Sequence, residues 1–125
     1  MCGRFAQTTT PENLVEIFHL VSTILIQPRF NLAPTQPVLV IRGHENGRRP
    51  HMMRWGLVPS WSKNLKGGAK MINARSETVF EKRSFAHPAR NQRCVIPATG
   101  FYEWRDTPVG KMPSLFPPTT GPVFH

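Results

Sequence analysis

Cysteine is scarce, with only Cys2 and Cys94 in 125 residues. Two cysteines make no disulfide framework. There is no CxxC pair and no Cys/His cluster at zinc spacing, so neither a structural metal nor a cofactor is expected. No apolar run approaches the roughly 18–20 residues of a membrane span. The start of the chain lacks the charged-then-apolar pattern of a signal peptide. These absences point to a reducing, cytoplasmic setting and away from the membrane. Acidic residues are few as well. Seven Asp and Glu stand against sixteen Lys and Arg, giving a net charge of +9. Such a balance suits a polyanionic partner, because each neutralised phosphate releases counterions. There is no internal repeat, and the length allows one domain at most.

What is present begins at the second residue. Cys2 follows the initiator methionine directly. Its side chain is small enough for Met1 to be removed, by an aminopeptidase or by the chain itself. Cys2 would then carry a free amine and a thiol on adjacent carbons. Their reference pKa values, about 7.7–8.0 and about 8.5, leave both partly nucleophilic near neutral pH. A 1,2-aminothiol reacts with an aldehyde in a particular way. The amine gives an imine, the thiolate adds to the imine carbon, and a thiazolidine closes. On position alone, Cys2 also fits an N-terminal residue with no role.

Thirteen prolines argue for turns and short strands over a helical bundle. Thr10-Pro11-Glu12 is a helix start, with Thr10 as cap. Leu14, Val15, Ile17 and Phe18 follow at helical spacing. Val21 to Ile26 is a short strand or an extended connection. Arg29 to Thr35 is expected as a loop, because Pro34 restricts Ala33. Val38 to Ile41 is a strand, turned at His44-Glu45-Asn46-Gly47 onto a partner over His51 to Trp55. Lys63 to Lys70 is expected as a flexible basic loop. Ser84 is expected to cap a helix with Pro88 in its first turn. Arg93 to Pro97 is expected as a buried strand with Cys94 in the core. Gly100 to Trp104 is a further strand, with Phe101 and Glu103 on one face and Tyr102 and Trp104 on the other. The chain turns proline-rich after Trp104, and Val123-Phe124-His125 resembles the start of a strand.

Two residue groups carry candidate chemistry beyond Cys2. Trp61 and Lys66 sit beside the glycine-rich basic loop, where bases could stack on the ring while lysines follow the backbone. Trp61 fits a core position equally well, and Trp55, inside a strand, fits the core better. Glu103 lies among aromatic neighbours. If buried, it would hold its proton more tightly and serve as an acid or base; if it faces outward, it is a solvated glutamate.

Five motifs then occur in order: Met1-Cys2-Gly3-Arg4-Phe5, Phe30-Asn31-Leu32-Ala33-Pro34, Arg54-Trp55-Gly56-Leu57-Val58-Pro59, Asn73-Ala74-Arg75-Ser76-Glu77, and Cys94-Val95-Ile96-Pro97-Ala98 through Gly100-Phe101-Tyr102-Glu103-Trp104. With them the chain resembles the SOS response-associated peptidase (SRAP) family, from its first residue to about Phe116. The resemblance implies an α+β fold with a curved, barrel-like, mostly antiparallel β core and short flanking helices. It implies a monomer that captures abasic sites in single-stranded DNA covalently, working at the nucleoid. It also implies a thiol autopeptidase activity that removes Met1, and lyase-like chemistry at the lesion. By the same resemblance Cys2 is the nucleophile. Asn73 holds the reacting end or the sugar, and Glu103 transfers a proton. Arg4 and Arg75 bind flanking phosphates. The family's histidine, in a His-x-Arg-Met-Pro-like motif, is missing, since His51, His87 and His125 lie in other contexts. Residues 1–125 are therefore expected as one SRAP domain, incomplete at its C-terminal end.

Two other classes of function stay open at this level. One is a cysteine peptidase whose N-terminal residue is the nucleophile and whose amine is the base. The other is a noncovalent single-stranded DNA-binding module.

Overall fold

The computed structural model describes residues 2–123. The elements in order are β1 (Phe5–Gln7), α1 (Pro11–Phe18), β2 (Arg29–Leu32), β3 (Pro37–His44), β4 (Gly47–Arg54), a 3-10 turn (Lys66–Lys70), α2 (Arg83–Asn91), β5 (Gly100–Thr107) and β6 (Gly110–Phe116). Four strands form one sheet in the order β2-β1-β5-β6, and β3-β4 form a second. Every pairing between these strands is antiparallel. The α+β expectation is met.

The short strand β1 is the centre of the larger sheet. Phe5 stands opposite Leu32 on one side and Phe101 on the other. Gln7 joins the two sheets. Its amide Nε2 donates to the carbonyls of Leu39 (2.8 Å) and Pro97 (2.9 Å), and its Oε1 accepts from the Leu39 N–H at 3.0 Å. A buried amide so fully paired fixes position without leaving an unmet group. Ile41 and Val95 exchange backbone hydrogen bonds at 2.8 and 2.9 Å and make a second junction.

The strand β3 explains its own apolar run. Leu39 and Ile41 pack with Leu14 and Phe18 of α1 and with Val123. Val38 and Val40 face the other way, into a cluster with Phe5, Leu32 and Trp55. A strand covered on both faces has no polar positions in its centre. On α1 the Thr10 hydroxyl accepts from the Asn13 N–H at 3.3 Å, Pro11 opens the first turn, and His19 ends the helix in the left-handed region. Leu14 and Phe18, four apart, are the face it buries.

Several expectations need correction. Arg29 to Leu32 is the edge strand β2 instead of loop, because Leu32 finds a fully buried place against β1 and Phe5. The restriction from Pro34 is confined to the turn that follows, where the Gln36 N–H donates to the Ala33 carbonyl. Val21 to Ile26 is an extended connection. The return strand β4 begins at Gly47, so the hairpin loop is Glu45-Asn46, and Gly47 takes φ 115°. The basic loop is partly ordered into the 3-10 turn.

Further corrections fall in the later half of the chain. Lys82, not Ser84, precedes the first residue of α2, and Pro88 lies inside that helix. The helix starts early because turns after Thr78 run into it, with the Lys82 N–H already donating to the Thr78 carbonyl. Arg93 to Pro97 makes a single bridge, Ile41 to Val95, instead of a strand. Val95 packs against the α1 cluster, so its neighbour Cys94 is exposed. Val123 is buried but unpaired in a strand, and Phe124 and His125 lie outside the described residues, as does Met1. Among the described residues no helix is long and apolar enough to cross a membrane.

Candidate nucleic-acid capture site

Cys2 leads directly into β1, so the central strand of the sheet fixes the start of the chain. It opens onto a cavity of 370 Å³. Phe5, Trp55, Ile96, Ala98 and Phe101 form the apolar wall, and Cys2 and Asn73 supply polar groups. The Phe5 and Trp55 rings meet edge to face with centroids 4.8 Å apart, and Phe101 stacks on Phe116 at 5.5 Å. These contacts hold the wall rigid.

Asn73 comes from far along the chain. Its Nδ2 donates to the backbone carbonyl of Cys2 at 3.1 Å. The loop carrying it is anchored by Trp55-Gly56-Leu57. The Leu57 N–H donates to the Met71 carbonyl at 2.9 Å, and Gly56, at φ 118°, lies directly against the backbone of Gly68. Ile72 packs on the cluster around Trp55. The strand end at Trp55 therefore sets where Asn73 can reach.

The Cys2 Sγ lies 3.4 Å from the Arg4 carbonyl oxygen, to which the thiol donates. Burial pushes the Cys2 thiol pKa up, a backbone hydrogen bond at Arg4 opposes this, and the Glu103 carboxylate pushes it up further. Glu103 follows Phe101 by two residues on β5, so both take the same face of the strand. Its side chain is half-buried, not enclosed, which is intermediate between the two readings of the sequence.

The arginines differ in their surroundings. Arg4 donates from Nη1 to the Asn31 Oδ1 at 2.8 Å, linking the start of β1 to β2. Arg75 is exposed. It lines a groove of 420 Å³ together with Asn73, Lys82, Arg83 and Ser84. Because Asn73 lines both, this groove and the Cys2 cavity are contiguous. Trp61 is 50% exposed, and Arg83 lies over its ring, Cζ to centroid 4.4 Å. Trp55 is 8% exposed and belongs to the core. Lys66 opens the 3-10 turn, where its N–H donates to the Asn64 Oδ1 at 3.0 Å, and it does not line the cavity or the groove. Lys82 and Arg83 are groove residues that the sequence analysis did not single out. Their signal was a pair of cations at a helix start, where no acidic residue occupies the first turn. Ile96 and Ala98 were visible only as members of a motif.

The arrangement has three chemical properties. The thiol opens onto an apolar, open-mouthed cavity that can take a small carbon skeleton. A carboxylate stands near enough to act on that thiol electrostatically. A basic groove begins at the residue that pins Cys2. Among the described residues no group of three or more His, Cys, Asp or Glu could hold a metal ion.

The family model for SOS response associated peptidase (SRAP) matches residues 1–125. The abasic site processing protein YoqW of Bacillus subtilis is 43% identical over 108 residues, covering 84% of this chain and 48% of that protein. The abasic site processing protein HMCES of Gallus gallus is 41% identical over 99 residues, covering 70% of this chain and 30% of that one. The chain thus spans about half the length of the bacterial relative. A crystal structure of a Bacteroides thetaiotaomicron protein superposes with a TM-score of 0.81 at 22% identity, over 98% of this chain and 57% of that chain, and shares the fold. Because the family model matches residues 1–125, the chain belongs to the SOS response associated peptidase (SRAP) family.

Proposed function

We propose that this chain captures abasic sites in single-stranded DNA by closing a thiazolidine between Cys2 and the lesion's aldehyde. The observation that carries this reading is the Asn73 bond that fixes Cys2, at 3.1 Å, on an apolar cavity contiguous with a basic groove. Two relatives bear the name abasic site processing protein, which supports the same substrate.

Hydrolysis of the Met1–Cys2 bond frees the amine. The ring-opened abasic sugar is an aldehyde, and the amine condenses with it to an imine, releasing one water. The thiolate adds to the imine carbon and the nitrogen takes up a proton. The net change is aldehyde plus aminothiol giving ring plus water. Asn73 keeps the Cys2 backbone still, so amine and thiol meet one carbon in turn. Glu103 passes the proton needed as hydroxide leaves. The wall of Phe5, Trp55 and Phe101 offers the sugar an apolar surface to pack on. Arg4 and Arg75 take flanking phosphates, Trp61 offers a stacking face, and Lys66 adds diffuse positive charge. The protein acts as a monomer on one strand and is nucleoid-associated while bound. The ring persists, so the lesion is shielded instead of cleaved.

Autopeptidase removal of Met1 would use the same thiol, which the Glu103 carboxylate holds more firmly protonated. Intact mass follows both steps. Purified protein should lose Met1 and then gain the mass of an abasic oligonucleotide less one water. A tag retained before Cys2 should abolish the adduct. Crosslinking by the tagged protein at the untagged rate would show that the free amine is not used.

The basic groove sets a salt dependence. Log affinity for unmodified single strands should fall linearly with log salt, and Arg75→Gln should flatten the slope by about 0.7. A titration in which Arg75→Gln keeps the full slope would remove Arg75 from the phosphate path.

A further inference from the structure

Trp61 borders a second cavity, of 240 Å³, between its own loop and α2. Leu57, Val58 and Pro59 give it one apolar wall and Pro88 lies opposite. Ser60, Ser84, His87 and Gln92 place hydroxyl, imidazole and amide groups around it. A cavity with an apolar wall and donors and acceptors around it suits the chemistry of a heterocyclic base. The cavity is also connected to what has been described. Arg83 and Ser84 line both it and the basic groove, and Asn73 lines both that groove and the Cys2 cavity. A strand held at Cys2 therefore has a continuous path: past Asn73, along Arg75, Lys82 and Arg83, and up to Trp61.

At the end of that path the stacking face is occupied. The Arg83 guanidinium lies 4.4 Å from the centroid of the Trp61 ring. A base can stack on that face of the ring only once Arg83 leaves it. Arg83 has somewhere to go, because it already lines the groove where a phosphate would sit. An exposed cation–π contact is weaker than stacking of a base together with a charge-assisted phosphate contact, so the exchange runs toward the bound state.

The geometry points to a nucleobase site between Trp61 and α2, whose Trp61 ring face is covered in the free protein by Arg83 and uncovered when a phosphate in the groove draws that guanidinium off the ring. This rests on the single-strand reading above and extends it to one flanking nucleotide. It makes Trp61 the stacking platform and Arg83 a positioning residue that trades the ring for the phosphate.

The test uses oligonucleotides with tetrahydrofuran, which lacks both base and aldehyde, at a central position. A second tetrahydrofuran is moved one nucleotide at a time to either side, and noncovalent affinity is measured. Affinity should fall about tenfold when the removed base is the one that stacks, and little elsewhere. Trp61→Ala should flatten this profile, and Trp61→Phe should restore the dip. Arg83→Gln should keep the dip while reducing the salt slope by about 0.7, since the arginine is off the ring in the complex. A flat wild-type profile, a dip that survives Trp61→Ala, or a dip that vanishes with Arg83→Gln overturns the proposal. Crosslinking of a true abasic strand, followed by intact mass, is a separate readout. Its failure would remove the thiazolidine and leave the positional profile readable, because tetrahydrofuran cannot form the ring.

Discussion

Replacing Cys2 with serine should abolish the heat-stable adduct with abasic single-stranded DNA. Serine can follow imine formation with an oxazolidine, but a neutral hydroxyl adds to the imine carbon less favourably than a thiolate, and that ring reopens in water far more readily. Loss should be complete on a denaturing gel. Asn73→Ala should be intermediate. It removes one hydrogen bond to the Cys2 carbonyl and should slow capture about tenfold, or about 1.4 kcal/mol of barrier. The wild-type rate should also rise with pH. Burial, with Glu103, raises the thiol pKa, so thiolate is a minor form at neutral pH and grows as pH climbs. Alkaline conditions therefore favour the ring-closing step until the thiol has titrated. Single-turnover crosslinking from neutral to alkaline pH measures all three effects. A Cys2→Ser protein that gives heat-stable adduct at the wild-type rate would dismiss the thiazolidine.

The parts of this fold that depend on neighbours in sequence were legible from it. Thr10-Pro11-Glu12 started a helix because a hydroxyl, a fixed φ and a carboxylate are each local devices. The run Val38 to Ile41 formed a strand, and its lack of alternation now has a cause, since both faces are covered. What failed was decided at a distance. Arg29 to Leu32 had weak strand character of its own and gained its pairing from β1. Cys94 looked like core because its neighbours are apolar, yet the chain turns inward only from Val95 onward, with Ile96 and Pro97. The site divides the same way. Phe101 was placed by strand alternation. The Asn73–Cys2 bond joins residues 71 apart, and only the family resemblance had paired them. The Arg83–Trp61 contact had no signal, because a cation on a helix and a ring on a loop meet only once both are folded.

Gly56→Ala should damage stability and capture together, because one backbone contact connects them. Gly56 has φ 118°, a conformation that costs a residue with a Cβ about 1–3 kcal/mol. A Cβ there would also overlap the Gly68 carbonyl oxygen and lie 2.8 Å from the Gly68 carbonyl carbon. These are backbone atoms and cannot rotate away as a side-chain tip would. The 3-10 turn must therefore shift. That shift strains the Leu57 N–H bond to Met71 and moves the loop that carries Asn73. Total destabilisation should be about 2–4 kcal/mol. Crosslinking by the fraction that remains folded should slow at least about tenfold, since misplacing the group that fixes Cys2 loosens the reacting geometry. Gly67→Ala, next to Gly68, is the matched control. A Cβ there meets nothing within 4 Å, and the change should stay within about 0.5 kcal/mol. Denaturant titration and single-turnover capture on the two variants give the comparison. If Gly56→Ala unfolds at the same denaturant concentration as Gly67→Ala and captures DNA as fast, the Gly56–Gly68 contact does not set the position of Asn73.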